Sequence, residues 1–258
     1  MTPVLAFDIE TVPDVEGLRR LHGLDAAIAD RDVAEMAFQL RRQATGNDFL
    51  PLHLHRVIVV SCALRERSAF KVWSLGAAGE GEGEVIQRFF DGIDRYTPQL
   101  VSWNGGGFDL PVLHYRGLVH GIKARRYWEQ GEDDREFKWN NYLSRYHSRH
   151  LDLMDLLALY QPRANAPLDD LAQLLGLPGK LGMAGAGVWP AYQEGRLSDI
   201  CKYCESDVVN TYLVFLRFQL MRGALTDQQF REECELVRAT LGKSKEPHWK
   251  EFLSRWRA

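Results

Sequence analysis

Two acidic side chains near the start of the chain are well placed by type and spacing to do chemistry. Asp8 and Glu10 lie two residues apart in the apolar stretch 4–11, which predicts a short buried strand. On a strand both side chains project from one face, about 6.6 Å apart along the backbone. Like charges on a buried face are costly unless a cation neutralises them, and hard divalent ions such as Mg²⁺ bind carboxylates. A strand end whose acids reach water is the alternative interpretation, and this stretch alone does not separate the two.

A second pair of polar residues lies near the end of the chain. Residues 197–221 show the pattern of a long helix, on which Tyr203 and Asp207 are four residues apart. This spacing places them one turn apart on the same face, where a carboxylate can bind a metal and a phenol can reach a water molecule. The same spacing is common on solvated helices, so the pair by itself proves little.

A third acid, Asp109, follows a run of three glycines. Asn104-Gly-Gly-Gly107-Phe108-Asp109 comes directly after a short apolar strand at 100–103. The run lacks dinucleotide-binding spacing, but successive glycines let the backbone approach a ligand closely. As an alternative, Asp109 caps the N-terminus of the helix predicted at 110–116.

These three segments, in this order, resemble the three motifs of the DEDDy 3′-5′ exonucleases of the ribonuclease H-like fold. That group includes the proofreading domain of family B DNA polymerases. The apolar stretch before Asp8 and the form Asn104-x-x-x-Phe108-Asp109 are most similar to a stand-alone branch described as predicted polymerase-B-like exonucleases. Leu151-Asp-Leu-Met-Asp155, Pro178-Gly-Lys180 and the residues around Asp207 resemble that branch too. The resemblance covers most of residues 1–222.

The resemblance implies a site and a reaction. Asp8, Glu10, Asp109 and Asp207 would bind two divalent ions, Mg²⁺ or Mn²⁺, with Asp8 between them, and Tyr203 would orient the attacking water. Two such ions support in-line displacement at a phosphodiester. The expected activity is release of nucleoside monophosphates from a single-stranded 3′ end of DNA or RNA.

Four further residues are expected to contact substrate, and two further acids are expected to be structural. The motifs place Thr11, Asn104 and Phe108 next to the acids, and Lys180 follows Gly179 on a flexible loop. A plain surface lysine is the alternative for Lys180. Asp152 and Asp155 match the branch outside the four ligands, so we expect them to support structure, with Asp152 as a helix N-cap.

Two other functions were weighed. A catalytically silent nucleic-acid-binding or scaffold module can share the fold, but silent relatives usually lose an acid, whereas this chain keeps all four and the tyrosine. A phosphatase with Asp8 as nucleophile usually has a second Asp where this chain has Glu10. DNA repair, degradation and processing all remain open as biological tasks.

The remaining pattern predicts an α/β fold with a mixed sheet flanked by helices. Strands are predicted at 57–64 and 69–74, and helices at 84–96, 168–175 and 226–241. Along the chain, strands come first, strands and helices then alternate, and the end is helical. This order suits a mixed ribonuclease H-like sheet. We expect an exonuclease domain at 1–222, with insertions at about 14–50 and 121–149, and a helical extension at 223–258 packed on that domain.

Aromatic residues in the second insertion are interspersed with basic ones. Trp128, Trp139, Tyr142 and Tyr146 could stack on unpaired bases, or pack as part of a helix. We interpret the insertion as carrying a mobile segment.

The composition and charge of the chain exclude some classes of protein. The 258 residues carry a net charge of -3 with a pI near 6.3, so a polyanion would be held by local basic patches and metal. No run approaches the roughly 20 apolar residues of a membrane span. Four cysteines are too few for a disulfide framework and favour a reducing cytoplasm. Cys201-x-x-Cys204 is interpreted as a plain helix face.

Overall fold

The computed structural model describes residues 2–257 and contains a mixed sheet with helices on both faces. Met1 and Ala258, the outer ends of the two predicted units, lie outside the described residues. Within residues 2–257 the strands are β1 (Val4–Pro13), β2 (His55–Glu66), β3 (Ala69–Leu75), β4 (Gln99–Ser102) and β5 (His150–Asp152). The α-helices of the same residues are α1 (Val15–His22), α2 (Asp30–Thr45), α3 (Glu82–Tyr96), α4 (Asp109–His120), α5 (Leu153–Leu157), α6 (Leu168–Leu174), α7 (Val188–Gln193), α8 (Leu197–Met221), α9 (Asp227–Gly242) and α10 (Pro247–Arg255).

The order of strands in the sheet is β3-β2-β1-β4-β5, which places β1 in the centre. β1 and β2 are antiparallel, as are β2 and β3, whereas β1, β4 and β5 run parallel. The last pair between β1 and β4 is Ala6 with Val101. The carboxyl half of β1 therefore extends past the end of β4, where the chain turns into α4. The predicted α/β, ribonuclease H-like mixed sheet is confirmed.

Side chains of β1 alternate between two cores, as the strand period requires. Leu5, Phe7 and Ile9 pack in a cluster with residues of α3 and α4. Ala6 packs on the opposite face with the middle of α8. Asp8 and Glu10 share the parity of Ala6 and so face α8. The pairing with β2 is irregular after Glu10, which bends the end of β1.

Two short elements were missed by the sequence pattern. β5 was not predicted as a strand, but it pairs with β4 over His150–Asp152. α7, at Val188–Gln193, was not predicted at all. Both elements are short, so neither has enough periodicity to be detected along the chain.

The segment 121–149 corrects one expectation about its aromatic residues. Tyr142 is buried, and its hydroxyl donates to the carbonyl of Pro98 at 2.7 Å, so it is a core residue and does not stack on bases. Trp128, Trp139 and Tyr146 are exposed. None of the three lies in an α-helix, because the described segment contains one 3-10 turn at Arg135–Lys138 and no α-helix, but the Trp128 ring packs on His114 of α4 with 4.8 Å between the ring centres.

The C-terminal helices pack against α8. Thr226 caps α9 through a capping box with Gln229, and Trp249, Phe252 and Trp256 join the buried cluster that contains the middle of α8. Among residues 2–257, no helix combines the length and the apolar character that crossing a membrane requires.

Candidate active site

Two of the predicted acids lie on β1 at the edge of the sheet. Asp8 is partly buried and Glu10 is buried, and both face α8. One carboxylate oxygen of each, together with the sulfur of Cys204, lie within 4.8 Å of one another. The spacing of two residues therefore brings the two carboxylates together, as the strand interpretation predicted.

Asp109 joins these acids from the first turn of α4. Phe108 occupies the N-cap position, and Asp109 does not cap the helix, so that alternative is wrong. The Asp109 carboxylate instead accepts a hydrogen bond from the backbone N–H of Ile9 at 3.0 Å. Because Ile9 lies between Asp8 and Glu10, this bond holds the start of α4 against the acid-bearing part of β1.

α8 brings the last acid and the tyrosine to the same place. Asp207 and Tyr203 are both buried, one helical turn apart. The charge of Asp207 acts on both Asp8 and Glu10. Its Oδ1 atom is buried and has no hydrogen-bond partner among residues 2–257. A buried carboxylate oxygen without a donor suits a metal ligand, and a set of carboxylates suits a hard divalent ion. The residues present therefore fit such an ion.

Burial and mutual repulsion disfavour the charged forms of these acids. Burial, followed by the neighbouring acids, raises the pKa of Asp8 and of Glu10 well above the usual values. Burial raises the pKa of Asp109 to about 7, against hydrogen bonds from backbone N–H groups. Burial also raises the pKa of Asp207 to about 6, which the Lys180 ammonium and the Tyr203 hydroxyl partly oppose. Without a cation, the raised pKa values therefore favour the protonated forms of these acids.

The phenol of Tyr203 stays protonated in this setting. Burial and the negative charges of Asp207, Glu10 and Asp8 raise its pKa far above the ordinary value. A protonated phenol can donate a hydrogen bond but cannot act as a base at neutral pH. Tyr203 is therefore suited to positioning a group.

Lys180 lies beside the acids. It is partly buried, and its ammonium lies 5.5 Å from the centre of the Tyr203 ring. Its backbone N–H donates to Asp169 at 2.7 Å, and Asn210 on α8 donates to the carbonyl of Gly179 at 2.9 Å. These bonds hold the loop against α8. A plain surface lysine does not describe this placement.

Thr11 is tied to a histidine at the base of β2. His55 Nε2 lies 3.1 Å from the carbonyl of Leu50, which can only accept, so Nε2 carries the proton. Burial lowers the pKa of His55 and favours the neutral ring. Its Nδ1 then accepts from the Thr11 hydroxyl at 2.9 Å. The Thr11 oxygen remains able to accept a further hydrogen bond.

Asn104 and Phe108 belong to the turn between β4 and α4. Asn104 has a left-handed backbone, with φ of 66°. The Asp152 carboxylate accepts from the backbone N–H groups of Asn104 at 2.9 Å and Gly106 at 2.8 Å, and it also caps α5. The structural role and the N-cap position predicted for Asp152 are confirmed. The Asp155 carboxylate pairs with Arg145.

The sequence interpretation missed Cys204. It lies on α8 and is fully buried, with its sulfur 3.5 Å from both the backbone oxygen and the Oδ2 atom of Asp8. A plain helix face is therefore wrong for this residue. A signal was present in the sequence, because Cys204 follows Tyr203 directly and precedes Asp207 by three residues, which places it near their face of the helix.

The fold and the site define the class of the protein. A mixed sheet whose central strand β1 brings its carboxylates together with those of α4 and of the long helix α8 is that of a ribonuclease H-like exonuclease domain. The chain belongs to the family of predicted 3′-5′ exonucleases related to the exonuclease domain of PolB, whose model matches residues 47–256. The match includes Asp109, Tyr203 and Asp207, whereas Asp8 and Glu10 precede it. No curated protein matches the chain.

Proposed function

We propose that the protein is a DEDDy-type 3′-5′ exonuclease that uses two divalent metal ions, Mg²⁺ or Mn²⁺. It hydrolyses phosphodiester bonds at single-stranded 3′ ends of DNA or RNA and releases nucleoside monophosphates. The observation that carries the proposal is the meeting of four carboxylates from β1, α4 and α8, one with a buried oxygen that lacks a donor. Membership in an exonuclease family supports it independently.

Asp8, Glu10, Asp109 and Asp207 would hold the ions. Ions bound there would lower the pKa of a water molecule and neutralise charge on the phosphate oxygens. Tyr203, kept protonated by its surroundings, would position the attacking water by donating a hydrogen bond. Its place one turn from Asp207 supports this role.

Substrate contacts are proposed for four residues around the acids. Lys180 would contact a phosphate, which its position at the acids and its charge support. Thr11 would accept a hydrogen bond from substrate through its remaining lone pair. Asn104 and Phe108 would contact the terminal nucleotides from the turn before α4.

We also propose a division of the chain and a compartment. Residues 1–222 would form the exonuclease domain, with insertions at 14–50 and 121–149, and residues 223–258 a helical extension packed on it. The contact of α9 and α10 with the cluster around α8 supports that division. The four free thiols support a reducing compartment such as the cytoplasm.

The test is an assay of purified protein with a 5′-labelled single-stranded oligonucleotide in Mg²⁺, Mn²⁺ or EDTA. We expect shortening from the 3′ end and free nucleoside monophosphates with either ion, and none in EDTA. Asp8→Asn should remove the activity. Tight binding of the oligonucleotide without any cleavage would instead favour the catalytically silent binding module. A parallel panel of duplex, mismatched and RNA ends would identify the polymer.

A further inference from the structure

A thiol borders the acids at the point where β1 meets α8. The Cys204 sulfur and one carboxylate oxygen each of Asp8 and Glu10 lie within 4.8 Å of one another. No other set of three His, Cys, Asp or Glu side chains among residues 2–257 brings its ligand atoms together as closely. Asp8 is only partly buried, so an ion can reach this set from solvent. The thiol therefore shares one space with the two acids.

Two ordinary explanations for a buried cysteine account for only part of this placement. Cys204 belongs to an apolar cluster with Val12 and Ile200, as a small core residue would. Its sulfur, however, lies 3.5 Å from both the backbone oxygen and the Oδ2 atom of Asp8. A thiol can donate one weak hydrogen bond there, because it carries a single proton. Neither explanation involves the Glu10 carboxylate.

The distance between the sulfur and the Asp8 carboxylate matches the separation of two ligands on a tetrahedral ion. Zinc binds a thiolate sulfur at about 2.3 Å and a carboxylate oxygen at about 2.0–2.2 Å, and at the tetrahedral angle these bonds place sulfur and oxygen about 3.5–3.7 Å apart. The separation of Cys204 Sγ from Asp8 Oδ2 is 3.5 Å. Glu10 has a longer and more adaptable side chain, which can supply a third ligand to the same ion. The thiol can therefore become a ligand without a large movement.

A sulfur ligand changes which cations suit the site. Thiolates favour soft or borderline ions such as Zn²⁺ and Cd²⁺, whereas Mg²⁺ and Mn²⁺ favour oxygen ligands. When such an ion binds, the thiol releases its proton to solvent as the metal–sulfur bond forms. An ion held by Cys204, Asp8 and Glu10 occupies two of the four carboxylates that the hard ions would need. It would therefore compete with Mg²⁺ or Mn²⁺ for the site.

We propose that Cys204, Asp8 and Glu10 form a three-ligand site for a thiophilic divalent cation such as Zn²⁺, which inhibits the protein by displacing the hard ions. The inhibition rests on the proposed exonuclease function, whereas the binding of the cation does not. Cys201 lies one turn earlier on α8 and is also buried, but it does not belong to the three-ligand set. It therefore provides a matched control on the same helix.

The binding test titrates Cd²⁺, a thiophilic probe, into the metal-free protein and records the thiolate-to-metal charge-transfer absorption in the ultraviolet. We expect this absorption in the parent and in Cys201→Ser, and its loss in Cys204→Ser and Cys204→Ala. The serine variant keeps a hydroxyl that can donate to Asp8, so it separates a metal ligand from a hydrogen-bond donor. Its affinity for Cd²⁺ should fall at least roughly tenfold, because losing even a group that supports a ligand typically costs about 10- to 100-fold. Melting temperatures in EDTA verify that the variants are folded.

The inhibition test measures monophosphate release from a single-stranded oligonucleotide at fixed Mn²⁺ and increasing Zn²⁺. Each variant is compared with its own rate without Zn²⁺. The parent and Cys201→Ser should be half inhibited at similar Zn²⁺ concentrations, and excess Mn²⁺ should relieve the inhibition. Cys204→Ser should need at least roughly tenfold more Zn²⁺ for the same inhibition, because its affinity for the ion is lower.

An absorption band that persists in Cys204→Ser and Cys204→Ala would overturn the ligand assignment. Equal sensitivity of the parent and Cys204→Ser to Zn²⁺ would overturn the inhibitory role. If no variant cleaves in Mg²⁺ or Mn²⁺ while the Cd²⁺ band still depends on Cys204, the exonuclease function is contradicted and the thiol site stands. Cleavage in Mn²⁺ without a band that depends on Cys204 would contradict only the thiol site.

Discussion

Two clusters of buried carboxylates lie close together along the chain but are neutralised in different ways. In the first, Asp14 and Glu82 surround Arg116, which is 3% exposed. The guanidinium donates to both acids, and Glu82 also accepts from the backbone N–H of Val57 at 2.7 Å. Each charge in this cluster has a partner of opposite sign at hydrogen-bond distance. We call it the Arg116 cluster.

In the second cluster, formed by Asp8, Glu10, Asp109 and Asp207, the acids face one another. Lys180 lowers the pKa of three of them, but burial and repulsion still raise those pKa values. Both clusters use the same two elements, because Asp14 follows β1 directly and Arg116 lies two turns after Asp109 on α4. The difference indicates that the Arg116 cluster stabilises the fold, whereas the acids of the second cluster are left without matching positive charge, as expected of the cation site proposed for them.

The largest expected effect comes from Asp8→Asn. Removing one ligand charge should lower turnover by roughly 10⁴-fold or more. It should also raise the melting temperature in EDTA above pH 7, because one repelling charge is gone. Monophosphate release at saturating Mn²⁺ tests the loss of turnover, and the melting temperature in EDTA tests the gain in stability. Asp14→Asn is the matched variant from the other cluster, and we expect it to lower the melting temperature. Retained activity in Asp8→Asn would contradict the assignment of Asp8 as a metal ligand.

Arg116→Met tests whether the Arg116 cluster stabilises the fold. The change leaves Asp14 and Glu82 buried without their partner, so the free energy of unfolding should fall by roughly 3–5 kcal/mol. Denaturant titration measures it. Arg125→Met removes an exposed pair with Asp133 and should hardly change the free energy of unfolding. If both variants lower the free energy of unfolding equally, the Arg116 cluster stabilises the fold no more than an exposed ion pair does.

Tyr203→Phe should have a smaller effect. It keeps the ring packing and all four acids but loses one hydrogen-bond donor, so turnover should fall by roughly tenfold to a thousandfold. The Mn²⁺ concentration that gives half-maximal activity should hardly change. Asp207→Asn, one turn away, should raise that concentration as well as slow turnover. A Tyr203→Phe enzyme as active as the parent would leave the tyrosine a packing residue only.

The smallest expected effect is a pH dependence of stability without metal. Burial raises the pKa of Asp109 to about 7 in the folded chain, from an ordinary value of 3.8. The folded chain holds this proton more tightly than the unfolded chain, so the contribution to stability is fully present below about pH 3.8 and is lost as pH rises from there through about 7. Asp109→Asn resembles the protonated acid, so in EDTA it should melt like the parent at pH 3.5, slightly above it at pH 5 and well above it at pH 8.

The shift in the pKa of Asp109 sets the size of the difference in melting temperature between Asp109→Asn and the parent. A change of one pKa unit between folded and unfolded chains corresponds to about 1.4 kcal/mol. About 1 kcal/mol moves the melting temperature of a chain this long by roughly 2–4 °C. We therefore expect a gap of at least roughly 3 °C at pH 8. Comparing variant with parent cancels the opposite effect of buried histidines such as His150, whose pKa burial lowers to about 4. An equal gap at pH 5 would contradict the raised pKa.

Long elements with local signals were predicted well. The helix expected at 197–221 is α8 with the same bounds, and Thr226 caps α9. Periodicity and capping act within a few turns of the chain, so they are visible in the sequence. β5 was not predicted as a strand, because a strand of three residues is defined by its pairing with β4.

The candidate site was predictable in its acids but not in its surroundings. Residue types and spacing, with the order of the three motifs, were sufficient to select Asp8, Glu10, Asp109 and Asp207. The spacing of Cys204 to Tyr203 and Asp207 indicates their face of the helix but not the contact with Asp8, and nothing local distinguishes Tyr142 from the exposed aromatics around it. Their positions depend on contacts with Asp8 and Pro98, far away in the chain.

By itself, the sequence determined the mixed α/β fold, the long helices and the identities of the four acids, because these depend on periodicity and short motifs. The tertiary structure alone decided which charges are neutralised. Arg116 meets Asp14 across 102 residues, whereas Asp8 and Asp207 repel each other and Lys180 opposes this repulsion only in part. It also decided that the Cys204 sulfur lies beside the Asp8 and Glu10 carboxylates. Burial and pairing of charges are properties of the folded neighbourhood, which no spacing along the chain specifies.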